Sequence, residues 1–258
     1  CVTVYTQAYN VENYIEQCIK SVLSQTFQDF EWILVENGST DKTREIIRKY
    51  AALDERIKPD YFDVNQDGFT NYYIAEKADG RYIVKIDSDD WIEPEYLEKL
   101  IAPFEDPDVD ISICGAVNYE EETGRETPHE YGELDGVYSK SDIEKQFIEM
   151  RSYMGTYWGK MFRREIFCSI LPDMKEIGEK LKKGYNFGGD VAFALCYLGE
   201  CKKLAFVNER MYHYRIHNNS YATRTIGTNR VFSCLALRET EHHFLHKVNA
   251  YTEQNVIM

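Results

Sequence analysis

Three carboxylates fall within four residues at Asp87-Ser88-Asp89-Asp90, directly after the apolar run Tyr82–Ile86. Like charges this close raise one another's proton affinity unless a cation or strong hydrogen-bond donors compensate. Hard oxygen ligands suit Mg2+ or Mn2+, ions that commonly bridge a few carboxylates to a substrate's phosphates. The same run would also serve as a solvated acidic turn ahead of the Pro94 helix, because carboxylates favour helix N-termini. Spacing alone leaves these readings level; the apolar strand in front of the cluster favours a binding role.

Other candidates are weaker taken singly. Glu36-Asn37-Gly38-Ser39-Thr40-Asp41 closes another apolar run and offers side-chain acceptors for a base or ribose, with a helix start that attracts anions. By itself it reads as an Asn-Gly turn with Ser39 or Thr40 capping the next helix. Asp190 follows the glycine-rich Gly184–Gly189 and by itself reads better as an N-cap over Val191-Ala192-Phe193 than as a positioned proton acceptor, though one residue can do both. His217 and Arg215 lie on a polar segment; a neutral imidazole could complete a metal sphere and an arginine could clamp phosphate, but a surface role is nearly as good. His242, His243 and His246 have helical spacing without an accompanying acidic or cysteine ligand, which favours a solvated helix face over zinc. Trp91 and Trp158 read better as core than as sugar platforms.

The elements that must position these groups alternate in the first half. Val2–Thr6, Phe30–Glu36, Ile57–Phe62, Tyr82–Ile86 and Ile111–Val117 read as strands. Between them lie a helix capped by Asn10 with Ile15, Cys18, Ile19, Val22 and Leu23 on one face, a helix burying Ile46 and Ile47, a short helix over Tyr72–Ala78, and one from Pro94 to Leu100. This rhythm predicts an α/β fold, Rossmann-like, with a mostly parallel central sheet flanked by helices. Ligands in such sheets bind at the carboxyl ends of the strands, where Thr6–Asn10, Glu36–Asp41 and Asp87–Asp90 all fall. The second half is less regular: a hairpin or loop excursion over Asn118–Tyr138, a capping box opening at Ser141, a strand or turn at Trp158–Arg163, a helix from Asp190 to Leu198, and short strands at Leu204–Val207 and Met211–Arg215. We expect one domain over residues 1–225, with a nucleotide-binding half (1–117) and an acceptor-binding half (118–225), followed by a C-terminal helical segment (226–258).

A length of 258 residues with 43% apolar and 14% aromatic residues supports a sizeable packed core. A net charge of −14 argues against a nucleic-acid partner and against general electrostatic attachment to anionic lipid. No apolar run is long enough to span a bilayer and no leader is visible. Seven cysteines, an odd count without Cys-x-x-Cys, fit reduced thiols and a cytoplasmic location.

Ala8-Tyr9-Asn10, Ser21-Val22-Leu23-Ser24-Gln25-Thr26, Val35-Glu36-Asn37-Gly38-Ser39-Thr40-Asp41 and Ile86-Asp87-Ser88-Asp89-Asp90-Trp91 occur in order, followed by Trp158-Gly159-Lys160, Asp190 and Tyr212–Ser220. This ordered set, covering roughly residues 2–220, closely resembles the family 2 glycosyltransferases, which have the GT-A fold. The resemblance implies inverting transfer from a nucleotide-diphosphate sugar, by preference a UDP-sugar, to a hydroxyl of a glycan or lipid-linked acceptor in cell-surface polysaccharide synthesis. It assigns Thr6, Tyr9 and Asn10 to the border of the nucleotide and Glu36 and Asn37 to base and ribose. Asp87 and Ser88 fall to the donor, Asp89 with His217 to a divalent Mn2+ or Mg2+, and Asp190 to the catalytic base. Asp90 would orient the metal corner from behind. Such acceptors imply peripheral association with the inner membrane face.

The chain departs from the family pattern where Glu36-Asn37 replaces an Asp-Asp pair, where Phe69-Thr70-Asn71-Tyr72-Tyr73 replaces an Ala-Arg-Asn triplet, and where Gly189 replaces the glutamate before Asp190. A catalytically degenerate nucleotide- or glycan-binding module is therefore the competing reading. Nucleotidyl transfer is disfavoured by the lack of a glycine-rich phosphate loop near the N-terminus, and dehydrogenase or P-loop kinase chemistry by the lack of their glycine signatures.

Overall fold

Apolar runs buried on both faces become the central strands over Val2–Ala8, Phe30–Asn37 and Tyr82–Lys85, and amphipathic stretches become helices that cover them. The computed structural model describes residues 1–66, 71–129, 135–146, 153, 155–175 and 189–217. The expected C-terminal helical segment 226–258, with His242, His243 and His246, lies outside the described residues, as do Phe69, Thr70 and Gly184–Gly188.

The strands are β1 (Val2–Ala8), β2 (Phe30–Asn37), β3 (Ile57–Phe62), β4 (Tyr82–Lys85), β5 (Trp91–Ile92), β6 (Val109–Glu120), β7 (Arg125–Pro128), β8 (Gly136–Ser139), β9 (Lys160–Arg163) and β10 (Lys203–Ile216). The helices are α1 (Ile15–Leu23), α2 (Thr43–Ala51), α3 (Asn71–Lys77), α4 (Tyr96–Ile101), α5 (Lys140–Lys145), α6 (Arg164–Ser169) and α7 (Gly189–Glu200). One sheet runs in the order β3-β2-β1-β4-β9-β6-β10-β5, with β7 on β6 and β8 on β10. β3, β2, β1 and β4 are mutually parallel, as are β6 and β10. The remaining pairings are antiparallel, including β9 with both β4 and β6. The sheet is thus more mixed than the alternation predicts. The strand order reverses at β1, and this switch point opens a crevice at the carboxyl ends of β1 and β4.

Two cores follow from the two-residue period of the strands. On one face Val4, Trp32, Leu34 and Val84 pack with Ile15, Ile19 and Val22 of α1, Ile47 of α2 and Leu97 and Leu100 of α4. On the other, Tyr5, Ile33, Val35, Ile83 and Phe162 meet Ile74 of α3, Phe167 of α6 and Phe193 and Tyr197 of α7.

Several local expectations change. Asn10 does not cap α1: its backbone is left-handed (φ 52°), and the residue preceding the helix is Tyr14. α2 begins after Lys42, and Asp41 rather than Ser39 or Thr40 accepts the Thr43 N–H at 2.9 Å. The capping box belongs to Ser139 and Asp142, so α5 starts one residue before Ser141. Asp190 lies inside the first turn of α7, not ahead of it. Leu204–Val207 and Met211–Arg215 are one strand, interrupted by register shifts between Val207 and Tyr212. Asn118–Tyr138 does contain a hairpin, β6 to β7, before β8 turns to the other long strand.

A buried ion pair anchors the second half. Asp110 on β6 accepts from Arg163 Nε on β9 at 3.0 Å and from the Lys202 N–H at 2.7 Å. Tyr197 on α7 donates to the Asp110 carbonyl at 2.6 Å and accepts the Arg163 N–H at 2.9 Å. Arg163 and Asp110 are both buried, so removing the carboxylate strands a guanidinium in the interior. Asp110→Ala is expected to lower stability by about 3–5 kcal/mol, read as a fall in the urea midpoint at unchanged slope; a loss below ~1 kcal/mol would show that the pair does not hold β6, β9 and α7 together.

Candidate active site

Three loops meet at the crevice. The loop leaving β1 and the loop leaving β2 are sewn together: Asn10 Oδ1 accepts the Thr40 N–H (2.8 Å), Ser39 Oγ accepts the Asn10 N–H (3.1 Å), and Asp41 accepts the Glu12 N–H (3.0 Å). The left-handed backbone of Asn10 aims its amide across the gap, a conformation that asparagine tolerates better than most residues. Gly38 makes the next junction: it has φ +77°, and a Cβ there would lie 2.5 Å from the Val64 carbonyl carbon.

Glu36 and Asn37, at the end of β2, are buried and already engaged. Glu36 accepts the Ser39 N–H at 2.6 Å and pairs with Arg44, which also donates to the Phe62 carbonyl. Asn37 donates to Asn65 Oδ1 at 2.6 Å and accepts the Gln66 N–H at 2.9 Å. Thr6 is fully buried and its hydroxyl accepts Trp32 Nε1 at 3.1 Å, so that side chain faces the core. These three shape the crevice wall through what they hold. Tyr9 and Asn10 stand exposed at its edge.

The acidic cluster follows β4, and β10 grips it from the side. The Asp87 N–H donates to Tyr212 Oη (3.1 Å), which donates to Asp90 Oδ2 (2.7 Å); Asp90 Oδ1 accepts the Arg215 N–H (2.7 Å). Burial, then the Asp89 and Asp87 charges, push the Asp90 carboxyl well above the ordinary carboxylate range. Asp90 is therefore a buried brace. Asp87 and Asp89 are half-buried and Ser88 is buried between them. His217 Nε2 lies 3.0 Å from Asp89 Oδ2, bringing the two residues expected to share a metal into contact.

Arg215 is not a free phosphate clamp. It donates to the Asp89 carbonyl (2.7 Å) and to Gln17 Oε1 (2.6 Å), and its guanidinium lies over Trp91 at 4.7 Å and Tyr14 at 5.0 Å. Trp91 stacks on His213 at 4.7 Å, and Trp158 stacks on Tyr212 at 4.8 Å, so both tryptophans pack within the fold as expected.

Among the described residues no cluster of three or more His, Cys, Asp or Glu side chains forms a metal cage. Two protein donors converging beside exposed carboxylate surface fit an ion that takes its other ligands from phosphate and water, as Mg2+ commonly does. The donor set of Asp89 and His217 therefore fits a divalent cation held together with a substrate.

Asp190 stands in the first turn of α7, near enough for its charge to act on Lys85 at the end of β4. Its side chain retains exposed surface, yet the surrounding protein displaces enough water to raise its carboxyl above the ordinary value, with Asp87 adding to the rise and Lys85 and Lys160 opposing it. Lys85 Nζ is 3.1 Å from Asp87 Oδ1. Lys160 is fully buried, donates to Thr156 Oγ1 (2.9 Å) and the Trp158 carbonyl (3.0 Å), and is pulled down by burial to about 7 against the Cys114 and Asp190 charges. The sequence reading missed both lysines as site residues; the signal available for Lys85 was a cation inside an apolar strand two residues before the acidic cluster. No disulfide joins the six described cysteines, and among the described residues no helix is long and apolar enough to cross a membrane.

Comparison with known proteins gives the same architecture. The chain is 30% identical over 253 residues to EpsH of Bacillus subtilis (strain 168), covering 98% of this chain and 71% of that protein. It is 29% identical over 227 residues to the glycosyltransferase GlyA of Streptococcus pneumoniae, covering 85% of this chain and 31% of GlyA. Among solved structures, S. aureus TarS 1–349 in complex with UDP-GlcNAc matches with a TM-score of 0.70 at 20% identity, over 98% of this chain and 68% of that one. The mannosyltransferase PcManGT of Pyrobaculum calidifontis, in complex with GDP-Man and Mn2+, matches at 0.55 and 15% identity, over 96% and 73% of the two chains. The fold is that of the GT-A glycosyltransferases. The sequence model described as Glycosyl transferase family 2 matches residues 3–171, well over half the chain. The fold, the sequence relatives and this match agree: the chain belongs to glycosyl transferase family 2 and is a glycosyltransferase.

Proposed function

We propose that this glycosyltransferase moves a sugar, with inversion, from a nucleotide-diphosphate sugar to a hydroxyl of a glycan or lipid-linked acceptor. What supports this reading is the contact between Asp89 and His217 beside Asp87, together with the interaction of Asp190 in α7 with the charges of Asp87 and Lys85. TarS, which shares the fold, was crystallised with UDP-GlcNAc, and this supports a UDP-sugar as the donor. The Mn2+ in the mannosyltransferase complex supports a divalent cation, Mn2+ or Mg2+, held by Asp89 and His217.

The residues divide the work. Tyr9 and Asn10 border the nucleotide, while Thr6, Glu36 and Asn37 fix the walls around its base and ribose. Asp87 and Ser88 take the ribose and donor-sugar side. When bound, the cation supplies Lewis-acid stabilisation to the departing diphosphate. Asp190 accepts the proton of the acceptor hydroxyl as that oxygen bonds to the anomeric carbon; the carbon–phosphate-oxygen bond breaks with its electron pair leaving on the nucleoside diphosphate. Ionised Asp190 is the competent base, so activity should rise with pH through a carboxyl titration displaced upward from the ordinary value. A growing cell-surface polysaccharide, or a lipid-linked glycan at the inner membrane face, is the acceptor class this reading favours, with the enzyme in the cytoplasm and associated peripherally with the membrane.

Asp190→Asn is expected to lower kcat by roughly 10²–10⁴-fold while leaving the UDP dissociation constant nearly unchanged, because a base acts in the chemical step. Transfer retained at near wild-type rate would remove Asp190 from the base role. Asp89→Ala should weaken Mn2+-dependent UDP binding by about tenfold or more (~1.4 kcal/mol), with little change in the metal-free titration by calorimetry. Tight UDP binding with no UDP release from UDP-GlcNAc or other UDP-sugars, with or without acceptor, would instead support the non-catalytic binding module.

A further inference from the structure

Lys85 is the last residue of β4, opposite Tyr5 in the β1–β4 ladder. Strand alternation puts it on the same face as Ile83, whose core also holds Tyr5 and Phe193 of α7. An ammonium at such a position forfeits hydration and side-chain freedom, so it persists only where opposite charge compensates. Its side chain is 29% exposed, its Nζ is 3.1 Å from Asp87 Oδ1, and it lies 5.3 Å from the centroid of the Tyr157 ring. Asp190 stands one turn before Phe193 and Ala194 in α7, so helical spacing puts it on the α7 face turned to that same core, where its charge acts on Lys85.

We propose that Lys85 is a positioning residue for the transfer reaction, its ammonium fastening the donor-side carboxylate of Asp87 and keeping Asp190 in its proton-accepting form. The proposal rests on Asp190 being the base. The Asp87 charge disfavours ionisation of Asp190; a cation interacting with both offsets that effect.

Among the described residues, the charged groups acting on Asp190 are Lys85 and Asp87 from the end of β4 and Lys160 from β9; Tyr5 on β1 faces Lys85. The two lysines are not equivalent. Lys160, wholly enclosed, sheds its proton near neutrality, so its help fades as pH rises. For Lys85, burial pulls downward, but Asp87 and Asp190 outweigh it and hold the group above the usual lysine range. Through neutral pH, where a base must be ionised, Lys85 is the cation that stays charged. Losing it should raise the Asp190 carboxyl further.

The test is a titration of the full chain labelled with ¹³Cγ-aspartate, the Asp190 resonance being identified by its loss in Asp190→Asn. In Lys85→Met and Lys85→Gln the Asp190 midpoint is expected to rise by about one pH unit, the low end for an opposite charge at close range because the lysine is partly exposed. Lys85→Arg, which keeps the charge, should stay near wild type. The acid limb of kcat/KM for UDP release from UDP-GlcNAc with Mn2+ should move the same way. An unmoved Asp190 midpoint in both neutral variants overturns the proposal, and so does an equal shift in Lys85→Arg. If instead the midpoint moves but Asp190→Asn still transfers sugar, the base assignment has failed, and Lys85's catalytic role fails with it.

Discussion

Three carboxylates at the end of one short strand repel each other, and the fold is organised around making that arrangement tolerable. β10 supplies the compensation. Tyr212 joins the Asp87 backbone to the Asp90 carboxylate, Arg215 donates from both its main chain and its guanidinium, and His217 meets Asp89. Asp90 gives up solvent and is held by neutral donors, which leaves Asp87 and Asp89 as the half-exposed pair. The cluster thus divides into one carboxylate that braces and two that keep solvent-exposed surface, although all three are the same residue type.

Arg215 shows how much depends on this compensation. Its guanidinium is walled in by Tyr14, Trp91 and Tyr119 and reaches Gln17 on α1. Weakly hydrated and planar, arginine suits such an aromatic box better than lysine would. The residue ties the helix after β1, the corner after β4 and the hairpin after β6 to a single point. Charge compensation and the packing of three chain segments are here one interaction.

Much of the parallel half was legible because β1, β2 and β4 are buried almost throughout and read as largely apolar runs, and because Ile15, Ile19 and Val22 repeat at helical spacing; β3, half-exposed and carrying Lys58 and Asp60, gave a weaker signal. The acidic corner was legible from charge crowding. Less legible were features decided by tertiary partners. Asn10 looks like a helix cap, but its amide is spent on Thr40 in the neighbouring loop. Glu36 and Asn37 look like free acceptors, but Arg44, Ser39 and the Asn65–Gln66 segment already occupy them. Lys160 sits far along the chain from Asp190, and a lone lysine beside hydrophobic residues carries no sign of the carboxylate it will face, whereas Lys85 at least stands two residues before Asp87. The bulged course of β10 was read as two strands because Asn208-Glu209-Arg210 is polar, whereas pairing with β6 continues on either side of it.

The short antiparallel strand β9 bonds to β4 along one edge and to β6 along the other. It acts as a rivet between the half of the sheet that ends in the acidic corner and the half that carries β10. A clamshell motion of one half against the other would have to tear that ladder, together with the Arg163–Asp110 pair behind it. Any movement that admits a ligand is therefore easier at the loops on the rim of the crevice than in the sheet that β9 rivets beneath it.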